Sequence, residues 1–114
     1  MAEKAVTILA PAAEGSLPPL QRWGQLYGSS PGLVLAEAAS RLSVPLLVVA
    51  PSARDAERLA TELRFYLTDP TLPVLAFPDW ETLPYDLFSP HQDIVSERLA
   101  TLSRLFDLKR GVVV

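Results

Sequence analysis

The residues best equipped for chemistry are crowded into FPDWETLPYDLFSPHQD, residues 77–93. This stretch holds the carboxylates Asp79, Glu81, Asp86 and Asp93, the single histidine His91, and the rings of Phe77, Trp80, Tyr85 and Phe88, with no Lys or Arg. Three chemistries fit such residue types. Asp79, Glu81 and Asp86, helped by His91, have the groups for acid–base work or for holding a hard cation. That reading lacks an identifiable nucleophile or second basic group. Trp80, Tyr85 and Phe88 have the faces on which bases stack, but an acidic segment without a cation repels the phosphate backbone. The third reading is architectural and is the strongest. Phe77, Trp80, Leu83, Tyr85 and Phe88 fold back over a sheet edge, and the prolines Pro78, Pro84 and Pro90 stiffen the loop.

A second candidate is YGSSPGLV, residues 27–34. A glycine-rich turn opening a helix is the place for a phosphate loop, G-x-x-x-x-G-K-[ST]. There backbone N–H groups cradle phosphates, Lys neutralises them and the hydroxyl holds magnesium. Here Gly28 and Gly32 are one residue too close, with Ser29 and Ser30 between them. Leu33 stands where the Lys belongs and Val34 where the hydroxyl belongs. Both chemical groups are missing, so the loop is expected to be inactive toward nucleotide and to hold no cofactor.

The whole chain sets limits on these sites. Its 114 residues suit one domain, and a net charge of −3 argues against a strong autonomous nucleic-acid binder. With no cysteine, disulfides, thiolate metal sites and thiol nucleophiles are excluded. No apolar window reaches the length of a membrane span, and the N-terminal apolar run is too short for a signal peptide, so a cytoplasmic location is expected. Arg54, Arg58 and Arg64 fall on one helix, but Glu57 and Glu62 interrupt them, which favours a solvated, ion-paired face.

The elements that must position these residues alternate in type. Residues 1–19 read as an irregular N-terminal segment containing a strand-like VTIL, and 20–26 as a short helix. A helix opens at Pro31. PLLVVAP gives a buried strand over 46–50, and a helix over 52–67 starts at the N-cap Ser52, with Asp55 in a capping-box position. Its inner face is Ala56, Leu59, Ala60, Leu63 and Leu67. A strand follows over 74–77. The next helix spans 90–107, capped by Ser89, with Pro90 at its first position and His91 in its first turn. It buries Ile94 or Val95, Leu99, Leu102, Leu105 and Phe106, and ends at Lys109 and Arg110 near the negative end of its dipole. The last strand is 111–114. Strand–helix alternation of this kind implies an α/β fold over 20–114, with a three-layer parallel sheet and helices on both faces. A chain ending on bare valines reads as a fragment of a longer protein, with self-association expected near 111–114 or the helix before it.

The segment DWETLPYDLFSPHQDIVSERLATLSRL, 79–105, resembles the N-terminal region of bacterial transcription-repair coupling factors, the Mfd family. A nearly identical DWETLPYD-FSPHQD segment marks that family. VVAP at 48–51 and RGVVV at 110–114 agree more loosely, and the likeness covers nearly all of 20–114. The resemblance implies the first part of a UvrB-like domain, with a degenerate P-loop NTPase fold like UvrB domain 1a. It implies a non-catalytic structural and interaction domain in the module that recruits UvrA for nucleotide excision repair. It also implies ATP, magnesium, DNA and RNA polymerase as ligands and partners of the full-length translocase, through motifs outside these residues. The segment Asp79, Trp80, Glu81, Tyr85, Asp86, Phe88, Pro90 and His91 is then a family signature with a structural role. Two rival functions are a small nucleotide-binding domain, which the missing Lys opposes, and a weak DNA-binding module, which the interrupted basic strip opposes.

Overall fold

The computed structural model describes residues 22–83, 85–87 and 89–114. The described elements run α1 (Ser30–Arg41), β1 (Leu46–Leu47), α2 (Ala53–Tyr66), β2 (Val74–Leu75), α3 (Gln92–Leu105) and β3 (Val112–Val113). The irregular segment expected over 1–19 lies outside the described residues. The short helix expected over 20–26 does not form in its described part. Gly24 weakens a helix, Gln25 takes a left-handed φ of 59°, and Trp23 is half exposed, so there is no buried face to stabilise one.

The three strands form one parallel sheet in the order β1-β3-β2. Val112 is in register with both Leu46 and Val74, and Val113 with Leu47 and Leu75. The ladders are shorter than the apolar runs, but pairing continues past them: Val48 N–H donates to Val113 O at 2.8 Å and Phe77 N–H to Val114 O at 2.7 Å. The chain crosses from β1 over to β2, then reverses into the gap to form β3. Right-handed crossovers of opposite direction place α2 and α3 on opposite faces.

On one face, α1 and α2 pack over Val112 and Val114. Their buried contributions are Ala36 and Ala39 from α1 and Leu59, Ala60 and Leu63 from α2. The inner face read from the sequence of α2 is thus in place, with Ala56 and Leu67 packed at its margin. Ser52 caps the helix, accepting from Asp55 N–H at 3.1 Å. Close approach of the two helices depends on Gly32. A Cβ there would lie 2.6 Å from Glu62 Oε2 and 2.8 Å from Glu62 Cβ. Glu62 therefore leaves the solvated face expected for it and turns toward α1.

The opposite face departs from expectation. Leu75 and Val113 are buried there, but Leu47 and Val49 of the β1 side are exposed. On α3, Thr101 is buried, whereas Leu99, Leu102, Leu105 and Phe106 are not. The face of α3 expected to be buried is therefore the wrong one: the side turned to the chain leaving β2 carries Ile94, Arg98 and Thr101, and Leu99, Leu102 and Leu105 lie off it. The terminal valines are buried as a strand, as their sequence reads, but the exposed edge expected beside them is absent. They form the central strand and are covered on both faces, so residues 111–114 offer no apolar edge for self-association. α3 begins at Gln92, not Pro90. His91 is its N-cap, its Nδ1 accepting from Asp93 N–H at 3.3 Å, in place of the expected Ser89.

Arg110 was expected at the end of α3 and instead serves α1. Its Nε donates to Leu42 O at 3.0 Å and its Nη2 to Ser40 O at 2.7 Å. These are carbonyls at the C-terminal end of a helix, which have no intrahelical donor and carry partial negative charge. Beside it, Gly111 adopts φ 141°, and a Cβ there would meet Pro73 O at 2.7 Å. Glycine is required where the chain turns into β3.

Candidate functional site

The glycine-rich turn 27–34 is folded as a tight helix entry. Gly28 takes φ 60°. Ser30 N–H donates to Tyr27 O at 3.1 Å, and Ser30 Oγ donates to the same oxygen at 2.6 Å. Leu33 N–H is spent on Ser29 O. From α2, Arg58 Nη1 reaches Gly28 O at 3.4 Å and Tyr66 Oη donates to Ser29 Oγ at 3.1 Å. Val34, at the place of the magnesium-binding hydroxyl, is buried in the core. Gly32, at the place of the loop's second glycine, packs against Glu62. The groups around this turn face inward to hold α1 on α2, and the nearest guanidinium is occupied. Arg58 also pairs with Glu62 at 3.3 Å and Asp55 at 3.6 Å, so the ion pairing read from the sequence is present at Arg58, with Glu62 drawn under α1.

An open crevice of about 680 Å³ lies at the C-terminal ends of the strands. This is where parallel α/β sheets usually bind ligands. Asp79 and Glu81 reach it, opposite Pro51 and Ser52, with Phe77 and Arg98 along one wall. The turn 27–34 does not line it, so the two candidate sites are separate. Glu57 and Glu97 add carboxylates to the wall, against the cations Arg64 and Arg98. Four carboxylates against two guanidinium groups, one of them, Arg98, committed to Phe77, Trp80 and Pro78 O, do not suit a phosphate. Among the described residues, no group of three or more His, Cys, Asp or Glu is placed to hold a metal ion.

The signature segment is built around a residue that sequence reasoning passed over. The Arg98 guanidinium carbon lies 4.0 Å from the Phe77 ring centroid and 4.3 Å from that of Trp80. Its Nη1 also donates to Pro78 O. One turn on, Thr101 Oγ1 donates to Ala76 O at 2.6 Å. Thus α3 grips the chain leaving β2 at three successive points. An Arg seven residues past the N-cap His91 gives no signal by itself, because the two rings come from a different segment.

Beyond this clamp the aromatic loop does not fold back into the core. Trp80 is 41% exposed, Leu83 72% and Tyr85 95%. The architectural reading therefore holds for Phe77 and for the inner side of Trp80, and fails for Leu83 and Tyr85. Phe88 lies outside the described residues. Asp86 shapes the loop, its Oδ2 accepting from Leu83 N–H at 2.7 Å, while Asp79 Oδ1 accepts from Trp80 N–H at 2.8 Å. Glu81 holds a left-handed φ of 59°. His91 is about 70% exposed in its side chain and is drawn to Asp93, not to the crevice.

The chain was compared with known proteins. No protein-family model matches it. Curated relatives do. A transcription-repair-coupling factor of Escherichia coli is 46% identical over 91 residues, which cover 80% of this chain. Those of Haemophilus influenzae and Mycobacterium bovis are 39% and 40% identical over 89 and 100 residues, 78% and 79% of the chain. The chain belongs to the transcription-repair coupling factor family. It spans only 8% of the length of each of these relatives. Transcription-repair coupling factors are thus chains in which this α/β unit has many further residues as neighbours. No helix among the described residues is long and apolar enough to cross a membrane.

Proposed function

We propose that this chain is a non-catalytic structural and interaction domain of a cytoplasmic transcription-repair coupling factor. In this reading, residues 20–114 form the first part of a UvrB-like module with a degenerate P-loop fold, and that module recruits UvrA. ATP and magnesium act elsewhere in the full-length translocase, as do RNA polymerase and DNA, and this domain carries no cofactor of its own. The observation that carries the reading is the fate of the phosphate-loop positions. Val34 is packed in the core, Gly32 is committed to helix packing, and Leu33 supplies no charge. Family membership supports the repair role, and the acidic crevice supports the absence of phosphate chemistry.

Calorimetry of the chain with ATP and magnesium tests the non-catalytic part, and the expected result is no heat of binding. A micromolar dissociation constant overturns it, since that requires about 8 kcal/mol from groups this loop lacks. The recruitment part is tested on the full-length protein, by comparing its retention of UvrA with that of protein lacking residues 1–114. Equal retention overturns it.

A further inference from the structure

Three apolar side chains project from one short loop. Leu83 is 72% exposed, Tyr85 95% and Leu87 98%. Single exposed apolar residues are ordinary, but three within five positions are not. The turn is held by reciprocal bonds, Leu83 N–H to Asp86 Oδ2 at 2.7 Å and Asp86 N–H to Leu83 O at 3.0 Å. Its base is fixed where Arg98 lies against Phe77 and Trp80. Tyr85 is thus presented to solvent from a stretch whose residues Leu83 and Asp86 are hydrogen-bonded to each other, and Tyr is a frequent anchor of interfaces. Asp79, Glu81 and Asp86 flank it in sequence, with no Lys or Arg between Phe77 and Asp93, and the nearby Arg98 is committed to Phe77, Trp80 and Pro78 O.

The charge decides the class of partner. A nucleic acid would bring phosphates against these carboxylates. The complementary surface is a protein pocket that is apolar inside and rimmed by Lys and Arg. The size of the epitope decides the source. Stable complexes of separate proteins bury about 800 Å² on each partner, more than three loop side chains supply. A tethered partner needs far less, because a linker holds it at roughly millimolar effective concentration. The relatives, of whose length this chain spans 8%, have ample chain to provide one.

We infer that the loop 79–91 docks, through Tyr85 and Leu87, into a Lys/Arg-rimmed apolar pocket on another domain of the same longer polypeptide. This rests on family membership and not on the UvrA-recruiting reading, so either can fail alone. The test replaces Tyr85 by the photo-crosslinking residue p-benzoylphenylalanine in the full-length protein. Because Tyr85 is almost wholly exposed, the change leaves the fold intact. Mass spectrometry after irradiation is expected to find crosslinks to a segment of the same polypeptide outside residues 1–114 that bears Lys or Arg. Their yield should fall several-fold in high salt, and also with Glu81→Gln. Crosslinks confined to residues 1–114, crosslinks to a second protein only, or a yield that salt does not move would each overturn the proposal.

Discussion

The Arg98 guanidinium lies against the Trp80 ring at 4.3 Å from its centroid, with Phe77 in similar contact at 4.0 Å. One charged side chain from α3 therefore organises two rings and a carbonyl from the segment after β2. A cation over an aromatic face contributes about 0.5–1 kcal/mol at exposed sites, and a hydrogen bond from a charged donor about 1.5–3 kcal/mol. Arg98→Ala is expected to cost about 2–3 kcal/mol, measured by urea denaturation. Arg98→Lys keeps the charge but loses the flat stacking surface, and should recover less than half of that. The Trp80 indole resonance should shift in both variants.

Trp80→Ala should cost less than a fully buried tryptophan does. Core Trp truncations cost about 3–5 kcal/mol, but this ring keeps 41% of its surface in water. The expected loss is about 1–2 kcal/mol. A loss near the core value would mean that the ring is covered on both sides.

Gly32→Ala places a methyl against Glu62, within 2.6 Å of Oε2. It should destabilise the chain by about 1–3 kcal/mol, the usual cost of overpacking. Glu62 Oε2 has no hydrogen-bond partner, so Glu62→Ala removes the nearer of two obstacles together with a buried unsatisfied oxygen, while its own Cβ, 2.8 Å from the new methyl, stays in place and makes the relief partial. The double variant should be more stable than Gly32→Ala alone, and a double-mutant cycle of denaturation curves measures the coupling.

Arg110→Ala should uncap α1. Two carbonyls lose charged donors, at 3.0 and 2.7 Å, and each such bond carries about 1.5–3 kcal/mol. The partly exposed setting lowers the sum, and a total loss of about 2–3 kcal/mol is expected. Amide exchange should accelerate first at Leu42 and the last turn of α1.

Asp69 gives a pH dependence with a definite sign. The Thr71 hydroxyl, the Thr71 N–H and, more weakly, Arg110 hold its carboxyl below the ordinary range, while slight desolvation opposes them. A carboxyl lowered on folding contributes its stabilisation above the unfolded-state value, and the contribution is lost as pH falls through the folded-state value. The carbon-13 titration of Asp69 should therefore have a midpoint below that of an exposed aspartate. Thr71→Val removes the hydroxyl bond at 2.7 Å and should move the midpoint upward.

The sequence by itself determined the local facts. Apolar period, capping and breakers located β1, α2, β2, α3 and β3. Ser52 as an N-cap and Leu59, Ala60 and Leu63 as an inner face followed from spacing alone, because such signals act within one or two turns of chain. That positions 33 and 34 offer neither a Lys nor a hydroxyl was also legible, since Leu33 and Val34 lack those groups in any fold. Only the tertiary structure decided what lies against what. β3 inserts between β1 and β2, so the last residues of the chain are its most central strand, which no pattern within VVV can announce. α3 turns Ile94, Arg98 and Thr101 to the chain leaving β2, so the apolar spacing of its leucines does not become burial. Arg98 with Trp80, Gly32 with Glu62 and Arg110 with the end of α1 join residues from separate elements. Such pairs depend on strand order and helix placement, which are set by the packing of the whole domain and carry no signature in the local sequence.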